Sequence, residues 1–269
     1  MVSMLFWNVN RKPNQDFVAN LAKRQEIDVL MLVECLIEPG VLLTSLNSFG
    51  EPTYFFAPGH CEKIKIYTKF SEEYIKPIFE NDRLTIRHLE LPARKDILLA
   101  VTHFPSKLYW NNASQYQECQ NLAAYIEAAE HEIGHSRTIL VGDLNMNPFE
   151  DGIVGTKGLH SVMSRKIAMK RHRVVLGRSY SFFYNPMWSL LGDGTRGPPG
   201  TYFYTRPEHV VLFWNIFDQV LVRPDLLDRF KNEDLHILDS DGDEKFLSKS
   251  GLPKRNISDH LPISFKLNI

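Results

Sequence analysis

Apolar residues in this chain come in short runs that stop abruptly at polar ones. Ser3–Val9 is apolar and aromatic and closes on Asn8–Asn10, Asp28–Val33 closes on Glu34, and Ile97–Val101 closes on Thr102–His103. Runs of this length, bounded by turn residues, predict strands of a packed core. Between the first two, Phe17, Val18, Leu21 and Ala22 recur at helical spacing behind Asn14, which predicts a helix capped by Asn14 and a strand–helix–strand opening. Pro39–Leu46 predicts a second short helix. From Tyr54 onward the runs Lys63–Tyr67, Tyr74–Phe79, Leu84–Leu91 and Ile97–Val101 are separated by turn or charged residues, the pattern of antiparallel strands. Ser114–Glu130 places Leu122, Tyr125, Ile126 and Ala129 on one helical face.

Thr138–Asn147, TILVGDLNMN, is the stretch the rest is organised around. A buried-type strand ends at Gly142 and delivers two polar groups, Asp143 and Asn145. Alternation along a strand puts these two on one face and Leu144 on the other. The C-terminal end of a core strand is a common place for a site in an α/β protein; Gly, Asp and Asn are equally the residues of an ordinary turn. Residues 148–215 are the least regular part, with a basic stretch from Arg165 to Arg178, aromatics from Tyr180 to Trp188 and the loop GDGTRGPPGTYFY. Phe217–Val222 predicts a strand carrying Asp218, and Asp225–Glu244 reads as an acidic, solvated stretch. Ser258-Asp259-His260 precedes a last strand, Ile263–Leu267. With no repeat, low-complexity tract or linker, a single domain over residues 1–269 is expected.

Composition adds limits. Hydrophobic residues at 43% and charged ones at 23% are ordinary for a globular protein with a substantial core. A net charge of −1 advertises no polyanion partner for the molecule as a whole, so any nucleic-acid site must be local. The three cysteines, Cys35, Cys61 and Cys119, are odd in number and form no CxxC, which argues against a disulfide framework and a thiolate zinc site. No basic segment precedes the short apolar N-terminus and no run reaches membrane-span length, so a cytoplasmic location is expected.

The polar residues at the strand ends suit one chemistry. Glu34 and Asp259 are hard oxygen donors, which prefer Mg²⁺ or Mn²⁺ over zinc. A histidine paired with a carboxylate such as Asp218 is oriented and stabilised in its charged form. Phosphodiester hydrolysis calls for a cation, a group that activates water, and donors for the developing charge. WNVN at Trp7–Asn10, LVE at Leu32–Glu34, VTH at Val101–His103, GDLNMNP at Gly142–Pro148, FDQV at Phe217–Val220 and SDHLPI at Ser258–Ile263 occur in this order. Together they resemble the endonuclease/exonuclease/phosphatase superfamily, which includes DNase I-like nucleases, sphingomyelinases and inositol phosphatases.

That resemblance implies a four-layer α/β sandwich, two packed mixed sheets flanked by helices. It implies Glu34 as principal metal ligand with Asn8 close by and Asp259 as a possible second ligand. It implies Asp143 and Asn145 at the attacking water and scissile phosphate, His260 as the catalytic histidine paired with Asp218, and His103 as the second histidine. The activity implied is Mg²⁺- or Mn²⁺-dependent phosphodiester hydrolysis, foremost of nucleic acid, with a phosphatase or phospholipase of the same fold as the alternative. Arg165, Arg171 and Arg173 with the rings of Trp188 and Tyr204 are the ingredients of nucleic-acid binding, and equally of a solvated cationic face and an aromatic core.

Three further patterns carry less. His131-Glu132-Ile133-Gly134-His135 matches the HExxH of zinc proteases, but sits where a helix ends, with Gly134 inside it. Gly192–Gly197 matches GxGxxG, but Pro198 and Pro199 follow where a helix would have to open. Asp239–Asp243 hints at a calcium loop, with Glu244 and Ser250 at positions that require Gly and Glu.

Overall fold

Every residue of β1 (Val2–Asn8) is buried, as expected of a strand with neighbours on both edges and cover on both faces. The computed structural model describes residues 1–48, 50, 53–195 and 197–269, so Arg196 of the glycine-rich loop lies outside the described residues. After β1 come α1 (Gln15–Arg24), β2 (Val29–Val33), α2 (Pro39–Asn47), β3 (Phe55–Ala57), β4 (Ile64–Thr68), β5 (Ile75–Asn81), β6 (Leu84–Leu89) and β7 (Ile97–His103). The long helix α3 (Asn112–Ile133) and β8 (Thr138–Asp143) follow, then the short α4 (Asp151–Val154), β9 (Ser161–Val162), α5 (Arg165–Ala168), β10 (His172–Val175), β11 (Arg178–Ser181) and β12 (Phe183–Tyr184). The chain finishes with β13 (Tyr202–Phe203), β14 (Trp214–Asn215), β15 (Asp218–Val222), β16 (His236–Ile237) and β17 (Ile263–Leu267).

Among the described residues the strands form a six-stranded sheet, β16-β17-β1-β2-β4-β3, a seven-stranded sheet, β5-β6-β7-β8-β15-β12-β9, and two separate ribbons, β10-β11 and β13-β14. Strand alternation assigns the layers. On β7, Ile97, Leu99 and Val101 join the core between the sheets, while Leu98 and Ala100 pack beneath α3 with Cys119, Leu122 and Ile126. On the other side, Val18, Leu21 and Ala22 of α1 and Leu42 of α2 close over the first sheet. The result is the four-layer α/β sandwich. Helix α3 begins at Asn111, whose side chain accepts from the Ser114 N–H at 2.9 Å. It ends at Gly134, which takes the left-handed conformation that stops a helix (φ +81°).

Three sequence expectations change here. Asn14 does precede α1 but makes no cap; its amide donates to the Ile257 carbonyl at 2.6 Å and ties the helix to the C-terminal segment. The antiparallel runs after Tyr54 divide between two sheets, β4 pairing with β2 and β5 to β7 forming the other sheet. Asp225–Glu244 is not simply solvated: Leu226, Leu227, Phe230, Leu235 and Ile237 are buried, and β16 covers the edge of β17. The acidic residues there mask an apolar set spaced for one-sided burial.

Candidate active site

Parallel pairing of β1 with β2 sets Asn8 opposite Val33, one residue before Glu34. Parallel pairing of β7 with β8 sets His103 opposite Asp143, and antiparallel β15 sets Asp218 on the other side of Asp143. Strand ends from both sheets therefore meet at one end of the sandwich, and Ser258–His260 enters it just ahead of β17. Glu34 and Asn145 both leave their strands in the left-handed conformation (φ +48° each), a backbone state that costs a non-glycine residue about 1–3 kcal/mol and clusters at functional sites.

Asp143 is the hub. Its Oδ2 accepts from the Asn8 amide at 3.0 Å and its Oδ1 from the Asn145 backbone N–H at 3.0 Å. The two histidines flank it: His103 Nε2 and His260 Nε2 each lie 3.8 Å from Asp143 Oδ2. His260 Nδ1 is 2.8 Å from Asp218 Oδ2, which directs Nε2 toward Asp143. Asn145 is held by its amide on the Phe104 carbonyl at 2.9 Å, and Leu144 points away into the core under α3, as alternation requires.

Burial opposes a charge on His260, but the Asp218 and Asp143 carboxylates outweigh it and raise the imidazole to about 10. His260 is therefore an imidazolium at neutral pH. His103 goes the other way: burial, followed by the nearby cations Arg83 and Lys63, lowers it despite Asp143. For Asp143, burial is the largest influence and pushes the carboxyl up, with the His260 charge opposing. The site thus pairs a charged imidazole with a neutral one around a buried carboxyl.

The supporting contacts come from residues the sequence reading passed over or placed elsewhere. The Trp7 indole N–H donates to the His260 carbonyl at 3.0 Å. Ser258 Oγ donates to the Asn8 carbonyl at 2.8 Å and accepts from the His260 N–H at 3.1 Å. Thr201 Oγ1 accepts from the N–H groups of Phe217 and Asp218 at 3.1 and 3.2 Å. The Tyr202 ring lies 4.6 Å from the His260 ring. Trp7 and Ser258 stood inside the WNVN and SDH motifs; Thr201 carried no local signal.

Glu34 is the residue best placed for a cation. Among the described residues its two carboxylate oxygens have only loose partners, His103 Nε2 at 3.5 Å and Arg11 Nε at 3.4 Å. A carboxylate without a tight hydrogen bond fits a hard divalent cation that keeps several of its own waters; Asn8 is one strand over, opposite Val33, with its amide oxygen accepting from the Asn10 N–H at 3.0 Å. Asp259 is half-buried, and its charge contributes to raising His260. In the tighter group Asp143, Asp218 and His260, His260 Nδ1 and Asp218 Oδ2 are taken up with one another at 2.8 Å.

Of the expected substrate-binding residues, two lie at this end. Trp188 sits 6.2 Å from Phe149, two residues past Asn147, and Tyr204 extends the β13–β14 ribbon whose Tyr202 faces His260. The three arginines do not. Arg165 donates to the carbonyls of Leu227 and Phe230 at 2.6 and 2.9 Å, and Arg171 pairs with Asp225. Arg173 lies on β10, rooted beside them by the Phe182 N–H to Arg171 carbonyl bond of 2.8 Å. All belong to the end of β15 beyond Val222, opposite Asp218. The HExxH pattern also dissolves: α3 stops at Ile133, and His135 turns to Asp96 at 2.9 Å instead of sharing a helix face with His131. A cavity of about 420 Å³ lies at the far end of the first sheet, where Asp28 is bound by Ser3 and Lys69, apart from the groove between strand ends.

A family model described as the Endonuclease/Exonuclease/phosphatase family matches residues 5–260. No protein with a curated description matches the chain by sequence. Among solved structures the chain is similar to an AP endonuclease from Archaeoglobus fulgidus, at 16% identity and a TM-score of 0.58 with 100% of both chains covered. It is similar to a truncated TDP2 from Caenorhabditis elegans, at 16% identity and a TM-score of 0.57 with 98% of each chain covered. A third is D. rerio TDP2 complexed with a single-strand DNA product, at 17% identity and a TM-score of 0.59, covering 100% of this chain and 99% of that one. At these identities the likeness speaks for the fold.

Proposed function

Because the chain belongs to the Endonuclease/Exonuclease/phosphatase family, we propose that it is a divalent-metal-dependent phosphodiesterase whose substrate is single-stranded nucleic acid. The observation that carries the chemistry is the buried Asp218–His260 pair aimed at Asp143. Its charged imidazole offers an Nε2–H to a phosphoryl oxygen, in a setting where water no longer weakens the interaction. Asp143, held by Asn8 and Asn145, accepts a proton from an attacking water, and its burial-raised pKa makes it a stronger base. Neutral His103 donates a hydrogen bond without adding charge beside His260. Glu34, Asn8 and Asp259 would hold Mg²⁺ or Mn²⁺, which supplies neutralisation of phosphoryl charge when bound.

The rim favours a nucleic-acid strand. Tyr109 is 84% exposed on the loop after His103, Phe149 follows Asn147 beside Trp188, and Phe213 is exposed on the β13–β14 ribbon. Rings that surround a phosphate-handling groove are platforms for unstacked bases, each contributing about 1–3 kcal/mol. The single-strand DNA product bound by D. rerio TDP2 is in keeping with this. End-labelled single strands, duplexes and a panel of phosphomonoesters and phospholipids, each with Mg²⁺, Mn²⁺ or chelator, test the reading. Metal-dependent cleavage of the single strands is expected; release of phosphate or phosphocholine with strands untouched would replace it with a phosphatase or phospholipase.

A further inference from the structure

Between Gly152 and Gly192 the sequence has no Asp or Glu, yet it holds seven cations: Lys157, Arg165, Lys166, Lys170, Arg171, Arg173 and Arg178. In a chain of net charge −1 this is a strong local bias. The same segment exposes large apolar side chains: Leu176 at 99%, Met169 at 65%, Met163 at 64% and Val174 at 63%, with Ile167 at 44%. Lys166, Lys170, Arg173 and Arg178 make no ion pair among the described residues.

The β10–β11 ribbon carries the most exposed of these groups. Register pairs Val175 with Arg178, leaving Leu176 and Gly177 as a two-residue turn. Both are left-handed, at φ +47° and +77°, the geometry that favours Asn-Gly or Gly-Gly. A leucine there is strained by its Cβ and almost fully in water, so neither backbone preference nor burial in this chain accounts for it. The ribbon is rooted beside Arg171 and Asp225, at the end of β15 opposite the catalytic residues.

We propose that α5 and the β10–β11 ribbon form a docking face for an anionic lipid surface, with Leu176 entering the apolar layer and the lysines and arginines meeting the headgroups. Register sets Arg173 and Arg178 on one face of the ribbon and Val174 on the other, with Leu176 at the tip between them; an aliphatic tip flanked by unpaired cations matches an acyl layer beneath anionic headgroups. Nucleic acid fits less well: phosphates would engage the cations, but a duplex offers no counterpart to five exposed aliphatic groups spread over a helix and a ribbon. A second copy fits less well again, because a two-fold interface would set this cationic segment against itself. The face points away from the catalytic groove and leaves it open.

Cosedimentation with vesicles tests this. One set is phosphatidylcholine alone and the other phosphatidylcholine mixed with phosphatidylglycerol. Wild type should pellet with the mixed vesicles and not with the neutral ones. Lys170→Gln combined with Arg178→Gln should bind about twenty-five-fold more weakly, at roughly fivefold for each cation near an anionic surface. Leu176→Asn should bind more weakly while melting at the same or a higher temperature, since Asn suits the turn; that melting curve excludes misfolding as the cause. Wild type that ignores anionic vesicles overturns the proposal, as does binding unchanged in both variants. So does a concentration-dependent dimer, or duplex DNA binding, that Leu176→Asn abolishes without any vesicle binding in the wild type.

Discussion

His260 is buried beside two carboxylates, so its charge is fixed by its neighbours and not by the solvent. The raised imidazole, at about 10, keeps it protonated through the neutral range, which suits a group that stabilises phosphate charge. Asp218→Asn removes the carboxylate from Nδ1 while preserving shape, and is expected to lower kcat by about 10²–10⁴-fold. The double variant Asp218→Asn/His260→Gln should be hardly slower than the worse single one, because the pair acts as a unit; steady-state rates on one substrate check both statements. At this scale the grouping was legible: Asp143, Asn145, Asp218 and His260 all stand in the ordered motifs, and the fold brings them together. Trp7 and Thr201 escaped because their roles are hydrogen bonds to residues distant in sequence. The Trp7 bond to the His260 carbonyl spans 253 positions, and no local pattern encodes it.

At the scale of elements, two features are held by close contacts, one beside the candidate site and one at the other end of the sheet. Gly142 lets β8 lie against β7, since a Cβ there would overlap the Thr102 carbonyl oxygen. Gly142→Ala should therefore cost about 3 kcal/mol or more, read from urea unfolding, and depress activity by displacing Asp143. At the opposite end, Asp96 receives His88 and His135 at 2.8 and 2.9 Å together with Arg137, and so fastens β6, β7 and the α3–β8 turn. Burial works against its charge, but those three partners prevail and hold the carboxyl well below its ordinary range. A lowered carboxyl adds stability above its unfolded pKa, about 4, and loses it as pH falls through the folded value. Asp96→Asn should accordingly cost about 1–3 kcal/mol at pH 7, with the difference from wild type shrinking steadily below about pH 4. Periodicity found the strands and helices here to within a few residues. It could not place the basic segment, because which end of the sheet receives it depends on β12 pairing antiparallel to β15 with Tyr184 at Val222, a long-range fact.

For the whole molecule, the two sheets matter because they bring strand ends from distant parts of the chain to one groove. Asn8 and Glu34 come from one sheet, His103, Asp143 and Asp218 from the other, and the segment before β17 closes the set. The division of strands between sheets was not legible in the alternation alone; the ordered motifs supplied the sandwich by resemblance. Chelator is expected to abolish phosphodiester cleavage without lowering the melting temperature by more than a few degrees, because the core is apolar and Glu34 lies at its edge. Activity and thermal melting in the same buffer, with and without chelator, check that.

The most direct measurement is hydrolysis of a single-stranded oligonucleotide with Mg²⁺ by wild type and by His260→Gln, both shown folded by thermal melting. Cleavage that requires the metal and falls at least about 10²-fold in the variant is the predicted result. Metal-dependent cleavage at an unchanged rate in the variant would contradict the assignment of the Asp218–His260–Asp143 groove as the reaction centre.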